Sequence, residues 1–158
     1  MSFFPMLCEN YNGMSQSFFS QYKDVNTYLR SLGTENWDYL EHSPEENQRF
    51  NEAHTMRLNS ALAAVVFQAL AVEAFINLYG AQKIGEEKYY SEYELKGVTT
   101  TKKIKRICSE TLGQPYPTND RAYSRLISLL EKRDRIVHTK PRALKIDEIE
   151  NDLPIFEE

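Results

Sequence analysis

The stretch that decides the fold runs from residue 58 to residue 79 and reads LNSALAAVVFQALAVEAFINLY. Its apolar residues recur every three or four positions, which is the spacing of one face of an α-helix; they are Leu58, Leu62, Val65, Val66, Ala69, Val72 and Ile76. The opposite side is also apolar, so the helix is expected to be buried between other helices or at a subunit interface. Together with its flanks, the pattern predicts a helix over residues 51–81.

The sequence on either side of this stretch predicts further helices. Ser43-Pro44-Glu45-Glu46 is a strong start signal, because serine caps free amides, proline suits the first turn, and acids complement the helix dipole. Residues 15–32 and 102–112 read as helices ended by Gly33 and Gly113, and residues 86–96 as a short helix. A last helix, capped by Thr118 or Asn119, runs toward His138 and must stop before Pro141.

These elements predict an all-α protein, an up-and-down helical bundle of four to five helices. A length of 158 residues fits one domain. Within it, residues 1–42 are expected to form an N-terminal helical extension, and residues 143–158 an acidic C-terminal tail.

Composition favours a location in the cytosol. Cys8 and Cys108 are isolated, so neither a disulfide framework nor a zinc site is indicated, and no cofactor is expected. The first residues lack the basic start and apolar run of a secretory signal. The stretch 61–79 is interrupted by Gln68, Glu73 and Asn77, and a glutamate at mid-span costs about 2.5–3.5 kcal/mol on insertion scales. It is therefore interpreted as a buried helix of a protein that has no membrane partner.

Charge is distributed unevenly along the chain. The net charge is −4, yet residues 95–145 contain 13 Lys and Arg against 4 Asp and Glu. Such asymmetry is typical of a surface that faces a polyanion. The alternative is that basic and acidic segments neutralise one another across the bundle.

A six-residue motif stands at the end of the last predicted helix, within the basic segment. It reads Arg133-Asp134-Arg135-Ile136-Val137-His138. This pattern resembles the motif of the HEPN superfamily (higher eukaryotes and prokaryotes nucleotide-binding), helical bundles that carry Arg, then Asn, Asp or His, then a His four residues further on. The run AVEAFIN at residues 71–77 is similar to a central-helix pattern of some bacterial HEPN-like proteins.

The resemblance covers residues 55–141 and implies a metal-independent endoribonuclease, acting as a toxin or in defence against mobile elements, with an antitoxin as a possible partner protein. In the toxin branch a Tyr often lies two residues after the His, where this chain has Lys140. A nucleotide-modification switch at that position is therefore not implied.

The three motif residues suit RNA cleavage without a metal, in which the 2′-hydroxyl attacks its own phosphate. His138 can exchange a proton near neutral pH. Arg133 can hold the phosphate and stabilise the charge that develops on its oxygens. Asp134 shares a helix face with His138 and can either orient the imidazole or hold Arg133. Arg133, Asp134 and His138 are the predicted catalytic residues.

One histidine per chain cannot readily serve as both base and acid in one turnover, so a two-fold homodimer is predicted, with its interface beside the motif. Basic side chains are predicted to guide single-stranded RNA; they are Lys132, Arg135, Lys140, Arg142, Lys102 and Lys103. Glu73 and Asn77, one turn apart in the apolar helix, are predicted to support the site, or simply to form a buried polar pair that determines helix register.

Two other functions are compatible with the same residues. The bundle could bind RNA, a nucleotide or a partner protein without catalysis, with Arg133 and His138 as anion contacts. It could also be a structural dimer that uses the apolar helix as its interface. The plainest interpretation of His138 is a cation at the C-terminus of a helix.

Overall fold

The computed structural model describes residues 4–33 and 37–138 of the chain. These ranges contain helices and no strand, which confirms the all-α prediction. The helices are α1 (Phe4–Ser31), α2 (Pro44–Ile84), α3 (Glu86–Tyr89), which continues directly as a π-helix (Tyr90–Glu94), α4 (Thr100–Leu112) and α5 (Arg121–Val137). The arrangement is a helical bundle around α2. The predicted acidic tail lies outside the described residues.

Helix α2 starts at Ser43-Pro44-Glu45-Glu46, as predicted. The backbone amide of Glu46 donates to the Ser43 hydroxyl at 3.2 Å, and the amide of Ser43 donates to the Glu46 carboxylate at 2.7 Å. This reciprocal pair satisfies two amides that the first turn leaves free. The helix runs for 41 residues, longer at both ends than the apolar pattern indicated, and ends at Gly85, whose φ of 97° favours glycine.

Helix α1 packs along the first half of α2. The Ser15 hydroxyl, which is fully buried, donates to the carbonyl of Ala64 at 3.0 Å, and Leu29 is also fully buried. The sequence predicted the end of α1 at Gly33 correctly but placed its start at residue 15, eleven residues too late. Leu7, Tyr11 and Phe18 recur at helical spacing across this start, but Asn10, Asn12 and Gly13 have low helix propensity and weaken the pattern.

The second half of α2 packs against α3, α4 and α5. One core cluster joins Ile76 of α2 to Tyr89, Tyr93 and Ile107, and a second joins Val65 and Ala69 to residues of α5. Helix α4 ends at Gly113, as predicted.

Helix α5 is capped by Asp120, and not by Thr118 or Asn119 as predicted. The Asp120 side chain accepts from the Ala122 amide at 3.1 Å. All three residues are good N-caps, so the local sequence does not distinguish them.

One helix in the described part of the chain, α2, is long and apolar enough to cross a membrane, and 39% of its most apolar stretch is buried in the protein. The core helix of a soluble protein passes the same test of length and composition. This finding leaves the cytosolic location a prediction.

Candidate functional site

Two residues of the motif, Arg133 and Asp134, line a cavity of about 400 Å³. Three helices enclose this cavity: the second half of α2, the N-terminal turn of α4 and the last turns of α5. Its polar lining comes from Glu73 on α2, from three threonines at residues 99–101, and from Glu131, Arg133 and Asp134 on α5. The cavity therefore combines one cationic side chain with three carboxylates.

Arg133 is held by Glu73 across the bundle. Its Nη2 donates to Glu73 Oε1 at 2.6 Å, and the Thr100 hydroxyl donates to the same oxygen at 2.8 Å. The side chains of Arg133 and Glu73 are only 21% and 20% exposed, so water screens the pair weakly. Glu73 also lies at the N-terminus of α4, where the helix dipole favours an anion. These contacts position the guanidinium.

Asp134 makes a second, looser contact with the same guanidinium. Its Oδ1 lies 2.9 Å from Arg133 Nε, but that buried N–H is not directed at the oxygen, so the contact is an ion pair without a hydrogen bond. The Asp134 side chain is 59% exposed. Of the two roles that the sequence left open for Asp134, the structure gives the one toward Arg133.

His138 lies just beyond α5, at the C-cap position. Its backbone amide donates to the carbonyl of Asp134 at 2.9 Å, and the residue is exposed. It does not line the cavity that Arg133 enters. Within one chain the imidazole is therefore open to solvent or to a second molecule.

The charge balance around Arg133 determines how an anion can approach. Glu73 and Asp134 together compensate the guanidinium, so a phosphate must replace one of them or bind to the remaining N–H groups. Asp134 is exposed and badly aligned, whereas Glu73 is half-buried and hydrogen-bonded from two helices. Displacing Asp134 costs less, and Glu73 would remain in place behind the guanidinium.

The basic residues predicted to guide RNA are placed differently from one another. Lys102 and Arg135 are exposed, on α4 and α5, and Lys132 is half-buried. Lys140 and Arg142 lie outside the described residues.

Lys103 is a correction to the prediction, because it is only 7% exposed. Its ammonium group donates to Asn77 Oδ1 at 3.1 Å, pairs with Glu94, and lies 5.7 Å from the centre of the Tyr89 ring. A lysine that is buried and paired in this way is not on the surface that would meet RNA. The physical reason is that α4 turns this position toward α2 and the π-helix.

The two polar residues of the apolar helix serve different partners. Glu73 contacts Arg133, as described above. Asn77 accepts instead from the Tyr89 hydroxyl at 2.8 Å and from Lys103. Asn77 therefore belongs to a polar network with Tyr89 and Lys103 inside the bundle, and not to the pair of Glu73 with Arg133.

Sequence reasoning missed the other members of these networks. Thr100 anchors Glu73, and Tyr93 donates to Glu110 at 2.5 Å. Burial, reinforced by the neighbouring glutamates, raises the pKa of Tyr89 and of Tyr93 well above the usual range, so both phenols stay neutral donors. The available signal was the spacing of Tyr89 and Tyr93, which places both rings on one side of a helix.

No group of three or more His, Cys, Asp or Glu side chains comes together as metal ligands within residues 4–33 and 37–138. Comparison of the chain with protein-family models, with curated proteins and with solved structures gives no match. The resemblance to the HEPN superfamily therefore rests on the motif and the central-helix pattern alone.

Proposed function

We propose that this protein is a metal-independent endoribonuclease that cleaves single-stranded RNA in a cleft formed by two copies of the chain. The observation that carries the proposal is the arrangement at the end of α5. Arg133 is held half-buried by Glu73 at the edge of a cavity, and His138 is exposed five residues later on the same helix end. Phosphodiester cleavage requires a positioned cation and an accessible imidazole, and the end of α5 supplies one of each.

The chemistry balances without a metal. His138 of one subunit takes the proton from the 2′-hydroxyl, whose oxygen attacks the adjacent phosphorus. His138 of the partner subunit gives a proton to the 5′-oxygen that leaves. Arg133 neutralises the charge that builds up on the phosphate oxygens, and the products carry a 2′,3′-cyclic phosphate and a 5′-hydroxyl. The next cycle begins after the two imidazoles exchange protons with water.

Each charged residue then has a distinct task. Glu73 orients Arg133 and stays in place, while Asp134 moves aside when the phosphate binds. Lys102, Lys132 and Arg135 attract the RNA backbone, and they do so more weakly as salt is added. A role as a toxin or a defence protein, with an antitoxin as partner, follows from the HEPN resemblance and belongs to the proposal.

The test is cleavage of mixed-sequence RNA by purified protein in the presence of a chelator. We compare the wild type with Arg133→Ala and His138→Ala, and with Arg30→Ala and His42→Ala as controls of the same residue types elsewhere. We expect the two motif variants to lose about 10²-fold or more of the activity. General acid–base catalysis, the role of His138, contributes about 10²–10⁴-fold, and removing one charge-stabilising donor, the role of Arg133, costs about 10²–10³-fold. Equal activity in all five proteins would contradict the proposal.

One observation favours a second function, binding without catalysis. The charge of Arg133 is already compensated by Glu73 and Asp134, so the site could act as a weak anion contact that never stabilises a transition state. In that case the protein binds RNA with an affinity that falls with salt, and the RNA remains intact. The same incubation, followed by electrophoresis of the RNA, separates the two functions.

A further inference from the structure

A second cavity, of about 380 Å³, shares no lining residue with the cavity beside Arg133. It lies over α2, between α4 and α5, and its lining is almost entirely apolar; Phe75, Tyr79, Ile107, Cys108, Tyr116 and Leu126 contribute to it. Phe75 is 54% exposed, although it lies in the middle of the most apolar helix. A concave groove with a mostly apolar lining is the usual form of a binding site.

The rim of the groove is basic. The Lys83 ammonium lies 5.8 Å from the centre of the Tyr79 ring, and the Lys105 ammonium lies 5.5 Å from the centre of the Tyr123 ring. Tyr123 in turn contacts Tyr116, with ring centres 5.4 Å apart. The groove therefore suits a short apolar segment with acidic residues on both sides.

The chain contains such a segment. We propose that the groove binds residues 153–156 of the same chain, Leu-Pro-Ile-Phe, which are preceded by Asp152 and followed by Glu157 and Glu158. The apolar side chains enter the cavity, and the flanking carboxylates meet the two lysines at the rim. A volume of 380 Å³ is near the lower end of the range of about 300–1,000 Å³ for ligand pockets, which fits a short peptide segment.

The chain between the end of α5 and residues 153–156 is long enough to reach the groove. From Leu126 in the groove to Val137 at its end, α5 extends about 17 Å, at about 1.5 Å per residue. The 14 residues from 139 to 152 can span at most about 46 Å, at about 3.3 Å per residue. The segment can therefore return along α5 to the groove without any change in the helices.

Cys108 supplies a native reporter, because its thiol lies in the groove and the other cysteine, Cys8, can be replaced by serine. The experiment measures the rate at which a thiol-alkylating reagent modifies Cys108 in the full chain. Burial raises the pKa of this thiol, so the reaction is followed at mildly alkaline pH with all variants at the same pH.

In the Cys8→Ser background we compare Phe156→Asp with Ile146→Asp, a control that places the same charge in the tail outside the docking segment. We expect Phe156→Asp to react at least about tenfold faster, as the loss of one buried aromatic side chain implies, and Ile146→Asp to react as the parent does. Lys83→Glu is expected to accelerate the reaction less, because it removes one rim contact and leaves the apolar contacts. Circular dichroism of each variant checks that the helices are retained.

Equal rates for Phe156→Asp and the parent would overturn the proposal. Protection that disappears on dilution would also overturn it, because the groove would then be covered by a second copy of the chain. Protection that is independent of concentration and lost only in Phe156→Asp and Lys83→Glu supports it. The readout concerns the groove alone and does not depend on the proposed nuclease activity.

Discussion

Replacing Gly80 by alanine adds one methyl group where α2, α3 and α4 meet. The new Cβ would lie 2.8 Å from Ile107 Cδ1 and from Tyr89 Cδ2, and closer still to Tyr89 Cε2. Ordinary carbon–carbon contacts are about 3.5–4.0 Å. Tyr89 and Ile107 are 3% and 2% exposed, so neither side chain can move into solvent to make room.

Two effects of opposite sign decide the outcome for Gly80→Ala. Alanine favours a helix interior over glycine by about 0.5–1 kcal/mol. Overpacking a filled core costs about 1–3 kcal/mol. Because the clash involves two buried side chains, the cost is expected in the upper part of that range, about 2–3 kcal/mol. The free energy of unfolding should then fall by about 1–2.5 kcal/mol, a large part of the stability of a small domain.

Gly13→Ala is the matched control, because Gly13 is also inside a helix but nothing lies within 4 Å of the added Cβ. Only the helix preference acts there, so we expect the free energy of unfolding to rise by about 0.5–1 kcal/mol. Urea denaturation followed by circular dichroism measures both, with unchanged m-values as the check that only stability differs. A Gly80→Ala protein as stable as the wild type would refute the packing described for α2, α3 and α4.

Three other perturbations test separate parts of the structure. Glu73→Gln removes the charge that holds Arg133, so we expect the free energy of unfolding in urea to fall by about 1–2 kcal/mol, a figure discounted for partial exposure, and RNA cleavage to be reduced. Unchanged stability would mean that the pair of Glu73 with Arg133 is not formed. Ser43→Ala should cost about 1 kcal/mol in urea denaturation. Thr99→Ala should cost little, because the Thr99 hydroxyl bonds to that of Thr101 and caps no backbone amide of α4; equal losses would contradict the cap assignment. Burial, and secondarily Arg57, lower the pKa of His54 below its usual 6.5, so the folded state binds its proton less readily than the unfolded state. The stability that neutral His54 contributes is complete above pH 6.5 and is lost as the pH falls through the pKa of the folded state. The free energy of unfolding in urea should therefore decline less over that pH range in His54→Gln than in the wild type. An equal decline in both proteins would contradict the role of His54.

The parts of the fold that depend on local chemistry could be predicted from the sequence. The start of α2 follows from Ser43, Pro44 and Glu46, whose contacts all lie within one turn. The ends of α1 and α4 follow from Gly33 and Gly113, since both adopt a positive φ that disfavours other residues. The position of the motif at the end of the last helix also follows from Pro141 and the apolar spacing.

The parts that depend on tertiary packing could not be predicted. Lys103 belongs to a run of basic residues that looks like a solvated face, and its burial follows only from the position of Tyr89, Glu94 and Asn77 around it. The pairing of Arg133 with Glu73, 60 residues apart in the sequence, is likewise a consequence of how α5 lies on α2. The relation between two subunits cannot be read from one chain at all.

The central claim, that His138 from two subunits serves one cleavage site, can be measured by mixing. Wild type and His138→Ala are combined in equal amounts, unfolded and refolded together, and the RNase activity is compared with that of refolded wild type at the same total concentration; a mixture with His42→Ala is the control. If both imidazoles are required, only dimers of two wild-type chains are active, and the mixture retains about one quarter of the activity. Retention of one half would show that each chain acts alone, and would contradict the account.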